Sequence, residues 1–189
     1  MNVAGLVLAA GEGRRFGGPK AEVQLAGERL VDIGVRILTE GGCWPVVVVS
    51  GARQLVAPGA EVVPNPDWAS GMGSSLRAGL LALDEMGAEA VVVLLVDTPW
   101  VSAGAVRRLV MSAGTAPALV ATYDGRRGHP VLLDAVVWPE ITELAVGDVG
   151  AKAWMNAHPD QVLEVDCTGL GDPRDVDHPH DLLPQPHQP

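Results

Sequence analysis

Three short stretches of this chain carry no polar side chain at all: Val3–Ala9 (VAGLVLA), Val46–Val49 (VVVV) and Ala90–Val96 (AVVVLLV). A strand with one wet face alternates apolar and polar residues, whereas a strand apolar throughout has both faces covered. Each stretch is too short to be a helix of ordinary length, and each reaches glycine, serine or aspartate within two residues. Between them lie segments of helical period. Arg29–Gly41 places Leu30, Ile33 and Ile37 on one face and stops at Gly41-Gly42; Gly73–Met86 places Leu76, Leu80 and Leu83 together. A short strand near Glu61–Val63, a helix over Ala103–Ser112 and a strand over Ala118–Thr122 continue the alternation. The expected fold is α/β: a Rossmann-like, doubly wound, mixed but mostly parallel sheet with helices on both faces.

Beyond residue 123 the pattern loosens. It predicts a turn at Asp124-Gly125-Arg126, a short apolar run Val131–Leu133, helices near Ile141–Ala145 and Ala151–His158, and a late strand Gln161–Asp166. The 189 residues fit one domain, 1–183, and the polar, proline-rich residues 184–189 are expected to be a disordered tail. A hydrophobic content of 48% is ample for a core. The net charge of −10 argues against nucleic acid as a partner. No apolar run is long enough to span a membrane, and no cationic region precedes the first strand as in a signal peptide. Cys43 and Cys167 have no motif spacing, so a reducing, cytoplasmic setting is expected.

In doubly wound sheets, ligands bind beyond the carboxyl ends of the strands. The first strand ends in GEGRRFGGPK, in which Gly11 and Gly13 free the backbone and Arg14, Arg15 and Lys20 supply positive charge. Three cations in seven residues of an acidic chain point to a phosphorylated small molecule. Two familiar phosphate loops do not fit. The P-loop is excluded by Pro19 before Lys20 and by Ala21 after it, and the dinucleotide fingerprint by Phe16. Eleven of the thirteen basic residues are arginine; lysine occurs only at 20 and 152, and a compact cation suits a single phosphate oxygen.

Four further segments have a chemical character. Asn65–Leu76 (NPDWASGMGSSL) leads glycines and serines into a helix start, where free N–H groups favour anions. Asp97 closes the third apolar strand and is a candidate metal ligand, with Asp148 a candidate to assist it. Gly125–Pro130 (GRRGHP) suggests a second anionic ligand or a solvated hairpin turn, and Gly147–Lys152 (GDVGAK) is a loop opening a helix.

Taken together, these blocks resemble the MobA/MocA-like nucleotidyltransferases. LAAGEGRRFGGPK is similar to the family's LAAGxSxRMGxPK signature; NPDWASGMGSSLRAGL, LLVDTPWV, GRRGHPVLL and GDVGAKAW match its later blocks in order; and RDVDHPHDL resembles its D-[IV]-D-T-P-x-D-L ending. The resemblance implies that Leu8, Ala9, Ala10 and Gly11 lie against the nucleobase, that Gly13, Arg14 and Lys20 hold the triphosphate, and that Asn65, Gly71 and Ser75 complete the base and ribose pocket. It implies Mg2+ at Asp97, with Gly128, His129 and Asp148 facing the acceptor. Cytidylyl-transferring relatives tend to carry LAAG and guanylyl-transferring ones LAGG, so Ala10 implies CTP, with molybdopterin or another phosphorylated small molecule as acceptor. Glu12, Phe16, His178 and His180 depart from the family pattern.

The implied chemistry is attack of an acceptor phosphate oxygen on the α-phosphorus, with Lys20, Asp97 and Arg14 catalytic. Two other functions suit the same sequence: an NAD(P)H-dependent reductase of a quinone-like dye, and a non-catalytic carrier that delivers molybdenum cofactor to a molybdenum-dependent dehydrogenase.

Overall fold

A computed structural model of the protein describes residues 1–13 and 16–182. The three wholly apolar stretches form β1 (Val3–Leu8), β4 (Val46–Ser50) and β6 (Ala90–Leu95), adjacent and parallel in the middle of the main sheet. Two short strands, β2 (Gln24–Leu25) and β3 (Glu28–Arg29), make a separate hairpin ahead of α1 (Leu30–Glu40), an element that the sequence pattern does not predict. On one side of the centre β5 (Glu61–Pro64) pairs parallel with β4. On the other side lie β8 (Arg126–Asp134), β7 (Ala118–Tyr123) and β9 (Val162–Asp166).

The seven-stranded order is β5-β4-β1-β6-β8-β7-β9. Only β8 runs against its neighbours, pairing antiparallel with both β6 and β7, so the sheet is mixed and mostly parallel as expected. The chain winds from β1 to β4 and β5 in one direction and to β6 in the other. This reversal leaves a crevice at the carboxyl ends of β1 and β6, the position where such sheets bind ligands.

Each face of the sheet buries its own apolar layer. Val7, Val48 and Leu94 pack under α1 and α3 (Ala103–Met111) with Ile33, Leu38, Val106 and Leu109. Leu6, Val47 and Val93 pack under α2 (Met72–Glu85), α4 (Trp138–Leu144) and α5 (Lys152–Ala157) with Leu76, Leu80, Trp138 and Trp154. Residues adjacent in a strand therefore serve opposite layers, which accounts for the absence of polar positions. Among the described residues no helix is long and apolar enough to cross a membrane. Cys43 and Cys167 are both buried and free, and burial pushes the Cys43 thiol up to about 12.

The turn expected at Asp124-Gly125-Arg126 is present as a hairpin, and from Arg126 onward the GRRGHP residues run in β8. Asp124 and Gly125 both take positive φ, 51° and 76°, and close a two-residue hairpin between Tyr123 and Arg126. Such turns match the right-handed twist of the strands they join. Farther along β8 the register slips: Val120 faces Val131, but Ala121 faces Gly128. His129 and Pro130 are thus extra residues in a bulge, where proline's missing N–H costs no ladder bond. The expected tail lies outside the described residues.

Candidate active site

Beyond the carboxyl end of β1 the chain runs Ala9-Ala10-Gly11-Glu12-Gly13, while β6 ends in Leu95 and leads to Val96-Asp97. Between these ends opens a cleft of about 510 Å³ lined by Leu8, Ala10, Gly11, Gly13, Lys20 and Asp97 on the strand side. Trp68, Gly71, Met72 and Ser75 line it from the α2 side, and Asp148 and Asp177 also reach it.

The centre of this cleft is an ion-pair knot. Lys20 Nζ donates to Asp97 Oδ2 at 2.9 Å and to Asp177 Oδ1 at 3.1 Å. The lysine side chain is 14% exposed and that of Asp97 22%, so solvent screens this pair weakly, whereas Asp177 at 48% is the open member of the knot. Burial pulls the Lys20 pKa down, but the hydrogen bonds and charges of Asp97 and Asp177 outweigh it and hold the value above normal. Two carboxylate oxygens that converge on one cation position are a hard-oxygen donor set of the kind that suits magnesium.

Asp177 lies 157 residues from Lys20 and is held by local geometry. The segment following β9 returns across the Asp97 loop: Asp172 N–H donates to the Trp100 carbonyl at 3.1 Å and Val176 N–H to the Asp97 carbonyl at 2.8 Å. The Arg174 guanidinium stacks over Trp100, 4.0 Å from the ring centre, and Val176 is fully buried. The sequence patterns assign no role to Asp177. The RDVDHPHDL ending marks the segment, but nothing in the sequence pairs it with Lys20.

The opposite wall is set by close backbone contact. Gly71 has φ +114°, and a Cβ there would lie 2.3 Å from the Gly147 carbonyl carbon. Only glycine lets the 147–151 loop come this near. Gly73 N–H donates to the Gly147 carbonyl at 2.9 Å, which pins the loop to the start of α2 and brings Asp148 to the cleft. Asp148 does not share the Lys20 ammonium; Asp177, rather than Asp148, joins Asp97 there. The expected metal pair, Asp97 and Asp148, lines the same cleft. Among the described residues no cluster of three or more His, Cys, Asp or Glu side chains could hold an ion unaided, so phosphate oxygens or water would complete any coordination.

Other expected residues divide by position. Leu8, Ala10, Gly11, Gly13, Lys20, Gly71, Ser75 and Asp97 meet in this cleft. Ala9 does not, because strand alternation turns it into the layer beneath α1. Asn65 also stands behind the cleft: its Nδ2 donates to Ser74 Oγ at 2.9 Å and Ser75 Oγ at 3.1 Å, and its Oδ1 accepts from Asp67 N–H at 3.0 Å. It ties the loop at 65–67 to the first turn of α2, which carries Ser75. Gly13 closes a tight turn whose carbonyl accepts from the N–H groups of Phe16, Gly17 and Gly18. Arg14 lies outside the described residues.

A second cleft of about 610 Å³ adjoins the first and shares Leu8, Met72, Leu95 and Asp148 with it. Its floor is the apolar sheet face of Val93, Leu95, Val120 and Val131, and Gly128, His129, Arg127 and Lys152 stand at its edges. The bulge in β8 places His129 Nδ1 3.3 Å from the Val93 carbonyl. Burial holds the His129 imidazole below its usual pKa, with the Val93 carbonyl and the Asp97 charge acting in the opposite direction. The site is thus two adjoining clefts with an ion-pair knot in the first, a layout for two ligands meeting end to end.

Known proteins share this arrangement of sequence and fold. The chain is 38% identical to nicotine blue oxidoreductase of Paenarthrobacter nicotinovorans, over 93% of this chain and 92% of that protein. It is 34% identical to the molybdenum cofactor guanylyltransferase of Rhodobacter capsulatus, over 78% and 77%. In structure it is similar to Rv0371c of Mycobacterium tuberculosis, with TM-score 0.78, 26% identity and 94% of each chain covered. Rv0371c has also been solved in complex with manganese, a structure that matches this fold with TM-score 0.74 at 22% identity over 93% of this chain and 94% of that one. The MobA-like NTP transferase domain matches residues 5–162, and the chain belongs to that family.

Proposed function

We propose that the protein transfers CMP from CTP to the phosphate of a small acceptor, molybdopterin, and releases pyrophosphate. The observation that carries this reading is the Lys20 ammonium between Asp97 and Asp177 in a cleft that adjoins a second one. The nucleotide occupies the first cleft, its base against Leu8, Ala10 and Gly11 and its phosphates toward Gly13 and Lys20. Arg14 adds charge on the grounds of the sequence motif alone. The acceptor lies on the apolar floor of the second cleft with Gly128, His129 and Asp148 about it.

An acceptor phosphate oxygen attacks the α-phosphorus. One P–O bond forms, the bond from the α-phosphorus to the bridging oxygen breaks, and pyrophosphate departs with that bond's electron pair. The attacking oxygen is already ionised at neutral pH, so no base has to remove a proton. Two polyanions must be brought together, so this chain's work is neutralisation and alignment. Lys20 meets the charge that grows on the bridging oxygen. Asp97 and Asp177 fit Mg2+, which when bound supplies charge neutralisation across the triphosphate.

The base is read at Ala10, which is buried and lines the nucleotide cleft. Its methyl group occupies room a purine would use. Relatives named guanylyltransferases make GTP the competing choice. Pyrophosphate release should be measured with CTP, GTP, ATP and UTP, each with magnesium and molybdopterin. Release that is fastest with CTP and requires the acceptor is the expected result. GTP-first release would overturn the base assignment, and nucleotide binding without release would leave a carrier. The setting proposed is the cytoplasm, where nucleoside triphosphates are abundant.

The 38% identity to nicotine blue oxidoreductase favours one second reading: hydride transfer from NAD(P)H to a quinone-like dye held in the second cleft, with a proton from solvent completing the reduction. Consumption of NAD(P)H with such a dye, in the absence of any pyrophosphate release from CTP, would select it.

A further inference from the structure

The family domain ends at residue 162, yet Asp177 comes from beyond it. Asp177 sits on a stretch without regular structure, between an isolated bridge at Gly171 and a single 3-10 turn over Pro179–Leu182. Its side chain is 48% exposed, and an ion pair so open to solvent contributes at most about 1 kcal/mol to holding it. On the preceding side the chain is anchored by the buried Val176 and its N–H bond to Asp97. On the following side it is anchored by one carboxylate oxygen: Asp181 Oδ2 accepts from the N–H of Asp177 at 2.9 Å and from that of His178 at 2.7 Å.

We propose that Asp181 is a positioning residue that holds the Asp177 carboxylate toward Asp97 and so sets the affinity of the site for a divalent cation. The inference rests on the nucleotidyltransferase reading. In that reaction Lys20 turns to the triphosphate, and Asp177 loses the partner that orients it. The two charge-assisted bonds to Asp181 are independent of Lys20 and persist. Without them the backbone of residues 177 and 178 regains freedom, and fixing it again opposes cation binding.

Binding of Mn2+ alone to the full chain, followed by the loss of the free-ion paramagnetic resonance signal, tests this directly. Asp181→Ala should weaken Mn2+ on the order of tenfold. Asp181→Asn keeps an oxygen that can accept both N–H groups and should stay within roughly twofold of the wild type. Asp181→Ser, with a shorter acceptor, should fall between, and serves if the alanine variant does not fold. At saturating metal the turnover of Asp181→Ala should approach that of the wild type. Unchanged Mn2+ affinity in Asp181→Ala or Asp181→Ser overturns the positioning role and leaves the transferase reading standing. Equal affinity in Asp177→Ala and the wild type overturns the metal pair itself. A lowered melting temperature with unaltered Mn2+ affinity would make Asp181 merely structural and likewise overturn the proposal.

Discussion

The main-chain N–H of Val176 donates to the carbonyl oxygen of Asp97 at 2.8 Å, so the end of the chain is stitched to the loop that carries the central carboxylate. The contact makes one unit of the Asp97 loop and the strap over residues 171–182. Lys20 bridges its two carboxylates.

Replacing Lys20 tests the knot. Lys20→Ala should reduce turnover on the order of a hundredfold, the scale for losing one preorganised donor to a transition-state oxygen. Lys20→Arg should not restore it, because a planar fork cannot occupy the point that Asp97 Oδ2 and Asp177 Oδ1 share. Single-turnover rates with CTP, magnesium and molybdopterin decide the matter; a near-normal rate in Lys20→Ala would remove Lys20 from the chemistry, and one in Lys20→Arg would show that any cation suffices there.

Base choice rests on one methyl group. Ala10→Gly should shift the ratio of kcat/KM for GTP over CTP upward by roughly tenfold, since small apolar differences in a pocket discriminate on that scale. Competition between the two nucleotides in one reaction measures the ratio. A constant ratio would show that the base is selected elsewhere.

Gly71 should tolerate no side chain. Its φ is +114°, and the Gly147 carbonyl carbon lies 2.3 Å from the point that a Cβ would occupy, so Gly71→Ala must displace the 147–151 loop. A loss of about 1–3 kcal/mol is expected from the backbone strain alone. Urea denaturation gives the stability, and nucleotide affinity reports the cleft. An unperturbed midpoint would contradict the close approach.

His129 gives a pH dependence of defined sign. Burial lowers its pKa in the folded protein, so the unfolded chain binds the proton more readily. Its contribution to stability is therefore complete above the ordinary imidazole value, near 6.5, and is lost as the pH falls through the lower folded value. His129→Gln should flatten the stability profile below pH 6.5 relative to the wild type. Parallel profiles between about pH 5 and 7 would contradict that sign.

Much of the architecture is legible in local composition. The β1, β4 and β6 stretches declare themselves because central parallel strands need apolar residues on both faces, a demand met within six residues. The α1 and α2 patterns declare themselves by period. The start of β8 does not, because Arg126, Arg127 and Gly128 carry no apolar alternation; their backbones pair with β7 and the Arg127 guanidinium reaches Glu164 on β9. Asn65 has the composition of a ligand group, yet its amide is taken up by Ser74, Ser75 and Asp67.

By itself the chain's order of residues determined the layering, the crevice at the strand ends and the cation-bearing loop beside it, because these follow from short-range periodicity and from charge. Only the tertiary structure decided that Asp177, rather than Asp148, joins Asp97 around Lys20, and that Ala9 turns away from the cleft. A carboxylate's partner is set by distance in space, and a strand residue's side by the pleat and by which layer covers it. Neither quantity is carried by neighbours along the chain.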